Sequence, residues 1–213
     1  MASADKMIVK ARGPVWHKKQ KSKGIIPKGL TGLDRQATWS YSQADGWVYG
    51  HGTFCITSHG RSVLGLFIWM PNSAHEAKRL EIEIPVYAGL LRTVCMDSKA
   101  DDQNLYFSLK REHGIRLITR PRQGKDKSPS RQKMIRDMWT PASRKIYRER
   151  GTTVEPMQGV VKDIFDLDTC WMRGHENNRW LFAAMGVAVQ MAQRQAISQR
   201  ESTWHIKHAV LGV

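Results

Sequence analysis

Cysteine is scarce in this sequence: Cys55, Cys95 and Cys170 are widely separated, and no C-x-x-C pair occurs. That excludes a disulfide framework and a cysteine-based zinc site, and it leaves reduced, buried thiols as the expectation. Long apolar runs are lacking as well. A membrane-spanning helix needs about 18 consecutive apolar residues; none is found, and no charged-then-apolar leader opens the chain, so no membrane partner is expected. No internal repeat is found. Acidic residues are also few, nineteen Asp and Glu against 34 Lys and Arg, which gives a formal net charge of +15 and a pI near 10.0.

What is present points to a folded, polyanion-binding chain. With 213 residues and 41% hydrophobic content the chain can bury a real core, and residues 1–213 read as one domain, expected in the cytoplasm. The positive excess favours nucleic acid, because each neutralised phosphate releases counterions and adds sequence-independent affinity. Two basic loops stand out. Residues 17–28 carry Lys18, Lys19, Lys21, Lys23 and Lys28 among Gly and Pro, and residues 120–136 carry seven Lys and Arg against one Asp.

Between these loops the pattern is α/β. The runs "TWSYS" and "WVYGHGTFCITS" flank "QADG", whose Asp-Gly signals a hairpin turn, and "SVLGLFIWM" reads as a third strand. Ser73 and Glu76 match a capping box opening a short helix over "HEAKRL" that breaks at Pro85. A strand ending at Asp97, a helix "DQNLYFSLKREHG" closed by Gly114, and a strand "IRLIT" make a β-α-β unit. The remainder reads as helix: "PMQGVVKDIF", beginning at Glu155–Pro156, and "ENNRWLFAAMGVAVQMAQRQ", whose Trp180, Leu181, Ala184, Val187, Ala188 and Met191 recur at helical spacing and are expected to face the core. The order implies a mixed sheet flanked by helices.

In so basic a chain, the cluster Asp97, Asp101 and Asp102 at the mouth of a covered strand, "RTVCMDSKADD", needs a reason. Asp101 stands where a helix N-cap belongs. Asp97 is left over, at the carboxyl end of a strand, where open α/β sheets collect ligands. Glu155, at the positive end of a helix dipole, is the second candidate, and Lys162 lies about two turns further along the same helix.

The run Tyr147, Arg150, Glu155, Lys162 resembles the tyrosine-arginine-glutamate-lysine signature of DDE transposases of bacterial insertion sequences, and "TVEPMQGVVK" is similar to their glutamate motif. "VCMDSKADD" resembles the segment bearing the family's second aspartate, while "KARGPVWHKK" and "LDRQATWSYSQADGWVYGH" are similar to those following its first, which would be Asp5. The resemblance runs in order through roughly the whole chain. It departs from the signature by one extra residue between Arg150 and Glu155, which brings Arg148 forward as an alternative phosphate contact. Only four residues precede Asp5, so the resemblance also implies a truncated element without the family's helical DNA-binding region.

The resemblance implies a ribonuclease-H-like α/β fold and a nucleoid-associated bacterial enzyme that cleaves and joins DNA at the ends of its own insertion sequence. Asp5, Asp97 and Glu155 would hold two Mg²⁺ or Mn²⁺ ions. Converged carboxylates repel one another without cations, and hard divalent ions suit oxygen ligands. Tyr147, Arg148 or Arg150, and Lys162 would contact DNA, with Lys18, Lys19, Lys21 and Lys23 tracking its backbone and a homo-oligomer as a further partner. The rival reading is an inactive remnant that only binds DNA through its charge. RNA binding through the eight Trp is disfavoured, because these fall at core spacing without an aromatic recognition motif. His51 and His59 share a strand face but lack a third metal ligand.

Overall fold

The computed structural model describes residues 1–43, 45–123 and 128–212. Among the described residues six strands form one mixed sheet: β1 Ala2–Lys10, β2 Thr38–Ser42, β3 Gly46–Ser58, β4 Leu64–Pro71, β5 Thr93–Cys95 and β6 Arg116–Ile118, in the order β2-β3-β1-β5-β6 with β4 also paired to β3. The chain divides into two compact units. One comprises Met1–Asp5, Cys55–Gly65 and His75–Met157, the other Lys6–Phe54, Leu66–Ala74 and Gln158–Val213.

In the first unit β5 is parallel to the start of β1, through Ala2↔Val94 and Ser3↔Cys95, and to β6, through Val94↔Leu117 and Cys95↔Ile118. Parallel strands are covered on both faces and so read as continuous apolar runs; Val94, Cys95, Met96, Leu117 and Ile118 are all buried. Helix α3, Gln103–His113, makes the crossover and ends on Gly114 in the left-handed region at φ 65°. Its N-cap is Asp102, which accepts from the Leu105 amide at 3.0 Å, and not Asp101. Asp101 is instead buried against Arg131 at 2.5 Å and the Arg122 amide at 2.7 Å, a use that one-dimensional spacing cannot reveal.

Two further expectations change in this unit. Helix α2, Glu76–Glu83, has His75 at its N-cap with no side-chain cap, so no capping box forms, and it passes into a 3₁₀ turn over Ile84–Tyr87. Part of the basic stretch 120–136 is helix α4, Pro129–Met138, capped by Ser128; residues 124–127 lie outside the described residues. Helix α5, Pro141–Arg148, capped by Thr140, follows. Each of the two begins with proline behind a hydroxyl cap, where the missing N–H costs nothing.

In the second unit β2 and β3 form the expected antiparallel hairpin, Ser42↔Gly46 to Thr38↔Gly50, with residue 44 of "QADG" outside the described residues. Gly50 lies so close to β1 that a Cβ there would stand 2.0 Å from the Val9 carbonyl oxygen. The basic stretch 17–28 contains a short helix, α1 Lys18–Ser22. Helix α6, Val154–Phe165, starts one residue before the expected Glu155. Helix α7, His175–Ser198, buries Phe182, Met185, Gly186, Val189, Ala192 and Ala196, and Gly186 brings its backbone to the Phe67 carbonyl; α8, Lys207–Leu211, follows.

The stripe expected to face the core is therefore not the buried one. Trp180, Val187 and Met191 are exposed at 76%, 54% and 68%. At about 100° per residue the two apolar stripes of α7 lie on opposite faces, and periodicity cannot say which of them packs. Trp47 and Trp171 are exposed as well, so the tryptophans are not uniformly core.

A buried polar network ties the second unit together. Trp69 Nε1 donates to His51 Nδ1 at 3.1 Å, which makes His51 Nε2 the donor to Asp34 Oδ2 at 2.9 Å. The Gly174 amide adds a bond to Asp34 at 3.0 Å. Burial opposes the Asp34 charge, but His51 and the amides of Gly174 and Gln36 outweigh it and hold the carboxyl at about 2.

Candidate functional site

Asp5 lies on β1, Glu155 is the second residue of α6, and Arg150 sits in a 3₁₀ turn, Glu149–Thr152, that leads into α6. The Arg150 guanidinium joins the two acids, at 2.8 Å from Asp5 and 2.9 Å from Glu155. Burial works against the Arg150 charge, yet Asp5 and Glu155, followed by Tyr147 and Asp97, hold its pKa above the ordinary value. One cation thus neutralises carboxylates that lie far apart in the sequence, on β1 and α6.

Asp97 follows β5 at the sheet's carboxyl end. Its Oδ1 accepts from the Lys99 amide at 2.8 Å, so it also caps the 3₁₀ turn Ser98–Ala100, and its carbonyl accepts from Thr119 Oγ1 at 2.6 Å. Beside it stands Glu76, buried at the start of α2. Lys99 Nζ lies 3.0 Å from Glu76 Oε1 and 3.9 Å from Asp97 Oδ2. Glu76 Oε2 is buried without a hydrogen-bond partner. Burial first, then the charge of Asp97, push the Glu76 carboxyl up, with Lys99 opposing and Asp5 adding to the rise. Two of the chain's own cations, the largely covered Arg150 and the exposed Lys99, therefore serve four acids. Among the described residues no three His, Cys, Asp or Glu side chains form a group that could hold a metal ion.

The turn bearing Arg150 is anchored by His59, just past the end of β3. His59 accepts or donates at 2.8 Å to Ser3 Oγ through Nε2 and lies 2.9 Å from Glu149 Oε2 through Nδ1. Tyr147 packs edge-on against Trp139, with ring centroids 5.1 Å apart, and burial raises its pKa. Arg148, the last residue of α5, is exposed, so the two arginines occupy different settings: Arg150 among the acids, Arg148 at the surface. Beside Asp97 a groove of about 530 Å³ is lined by Ser98, Arg120, Pro121 and Arg122.

In the second unit Lys18 Nζ stands 3.8 Å from the centre of the exposed Trp47 ring, and Lys21 packs over Trp16 and donates to the Arg35 carbonyl at 2.9 Å. Burial lowers the Lys21 pKa, with Asp34 opposing. Lys19 and Lys23 are exposed. Lys162 is carried on α6, seven residues beyond Glu155. The three thiols are free and buried, with burial pushing each up to about 12.

Sequence reasoning missed Glu76, Lys99, His59 and Glu149. Glu76 carried a signal, an acid in "HEAKRL", but helix capping absorbed it.

No family model matches the sequence, and no curated protein matches it. Among solved structures, the cryo-EM structure of the piggyBac transposase synaptic complex with hairpin DNA aligns with 98% of this chain at a TM-score of 0.58 and 11% identity. The fold is ribonuclease-H-like. The alignment takes in 51% of that transposase, so the chain spans about half its length. At such low identity the likeness is one of fold, and it assigns no residue.

Proposed function

We propose that this chain carries the catalytic core of a DNA transposase of a bacterial insertion sequence, with Asp5, Asp97 and Glu155 as the acids that hold two Mg²⁺ or Mn²⁺ ions. The observation that carries the reading is Arg150 bridging Asp5 and Glu155 within a fold similar to a transposase. Acids that demand an internal guanidinium also suit a hard divalent ion, and the buried, partnerless Glu76 Oε2 is a further oxygen of the type such ions prefer. When bound, the ions would activate a water or a DNA 3′-hydroxyl and stabilise the leaving oxygen of an in-line displacement.

The chain's own residues supply the rest. Asp97 keeps its carboxylate aimed by accepting from the Lys99 amide. Arg150, released from Asp5 and Glu155, or the exposed Arg148, would meet a phosphate, with Lys162 and Tyr147 as further DNA contacts. Lys18, Lys19, Lys21 and Lys23 would follow the backbone, whose charge complements a net +15.

A second reading, an inactive remnant that binds DNA only, is favoured by the same arginine, which fills the space between two of the three acids, and by the lack of a three-ligand group among the described residues. Manganese-dependent nicking of a supercoiled plasmid decides between them, measured beside DNA binding for the parent and Asp97→Asn. Nicking by the parent, its loss in Asp97→Asn and retained binding in both support the transposase; binding without metal-dependent nicking in the parent supports the remnant.

A further inference from the structure

The outward face of α7 carries Trp180, Ala184, Val187 and Met191, spaced four, three and four residues apart. That is the spacing of the seam that one helix presents to another in a coiled coil, with the half-buried Leu181 and Ala188 along one edge of it. The core-facing stripe is separately present on the opposite side, through Phe182, Met185, Val189 and Ala196, so the outer seam is not needed for packing within the unit. Three large apolar side chains on one exposed helical line are unusual for a surface so rich in charge.

We propose that this seam is a two-fold interface with a second copy of the same chain, the two α7 helices running antiparallel. The seam is symmetric about its own midpoint. Trp180 and Met191 stand equally far from the midpoint between Met185 and Gly186, as do Ala184 and Val187. An antiparallel pair therefore sets the large Trp180 against the long, adaptable Met191 and the small Ala184 against Val187 at the centre, where helices approach closest. Charge follows the same symmetry. Glu176 lies before the seam and the exposed Arg194 beyond it, and at about 100° per residue both fall on one flank, so each Glu176 meets the partner's Arg194 in an isologous contact. Parallel pairing would carry these flanks to opposite sides of the pair and form neither contact. The inference does not depend on the catalytic reading.

Sedimentation of the full chain, freed of nucleic acid by nuclease and high-salt purification, tests it. The expected result is a concentration-dependent dimer that strengthens with added salt, because screening relieves repulsion between two chains of net charge +15. Trp180→Glu should weaken it by roughly tenfold or more with unchanged circular dichroism. Glu176→Arg and Arg194→Glu should each weaken the dimer, and the double variant should recover it. Oxidation of a mixture of Trp180→Cys and Met191→Cys chains should yield the crossed adduct, the native thiols being buried. A monomer throughout the concentration series, an association lost after nuclease treatment, or a dominant Trp180→Cys self-adduct would each overturn the proposal.

Discussion

The ion pair between Glu76 and Lys99 joins two media: the carboxylate side chain is 3% exposed and the ammonium 58%, with 3.0 Å between them. The acid bears the cost of burial while its partner remains free to turn to water. Asp97 and Asp5 add to the burden by their charge.

Glu76→Gln should therefore stabilise the fold at neutral pH, or leave it unchanged, with a gain of about 1 kcal/mol as the scale. The sign follows from the raised pKa. The folded chain holds the Glu76 proton more tightly than the unfolded one, so stability falls as pH rises from the ordinary value of 4.5 through the higher folded value. Thermal denaturation of parent and variant across that window should show the parent losing stability relative to Glu76→Gln; parallel profiles would sink the idea.

Arg150→Met removes the cation between Asp5 and Glu155. We expect a loss of about 2–3 kcal/mol, at or below the range for breaking a buried pair because Glu155 is half-exposed. Added Mn²⁺ should raise the melting temperature of the variant more than that of the parent, since a divalent ion can answer the same acids. Equal shifts in both proteins would count against a metal at this site.

Neighbouring aspartates should differ sharply. Asp102→Ala loses an N-cap, worth about 1 kcal/mol, whereas Asp101→Ala strips the buried Arg131 of its carboxylate, worth about 3 kcal/mol or more. Chemical denaturation of the two variants checks the order.

Acid stability should depend on Asp34. Its folded pKa of about 2 lies below the ordinary 3.8, so the stabilisation it gives is present above 3.8 and lost as pH falls toward 2. Asp34→Asn should flatten the unfolding profile in that window.

For DNA binding, the pair Lys19→Gln and Lys23→Gln should lower the salt slope by up to about 2 while leaving stability alone, because each exposed lysine releases about one counterion. Lys21→Gln should cost stability too, since that lysine spans Trp16 and the Arg35 carbonyl.

Much of the sheet was legible because its signals are local. The β2–β3 hairpin declares itself through alternation and an Asp-Gly turn, and the β5-α3-β6 unit through an apolar run and a Gly114 stop. Helices α4 and α5 were hidden beneath their charge, although Ser128-Pro129 and Thr140-Pro141 mark their starts. The face of α7 was unreadable in principle, since both sides are apolar and only tertiary packing chooses. Glu76 was lost for a related reason: an acid in the first turn of a helix satisfies local rules whether or not it also faces Asp97.

Strand β1 comes earlier in sequence than every strand it pairs with, yet it lies inside the sheet, between β3 and β5. On the ribosome it must therefore wait, unpaired, while its neighbours are made, and the pairing with β5 closes a long loop before it returns any contact. Asp5 waits with it. The guanidinium that joins it to Glu155 is synthesised later still, so a nascent or prematurely terminated chain carries the acid without the site. The order of synthesis alone withholds the assembled acids until the fold around them is nearly closed.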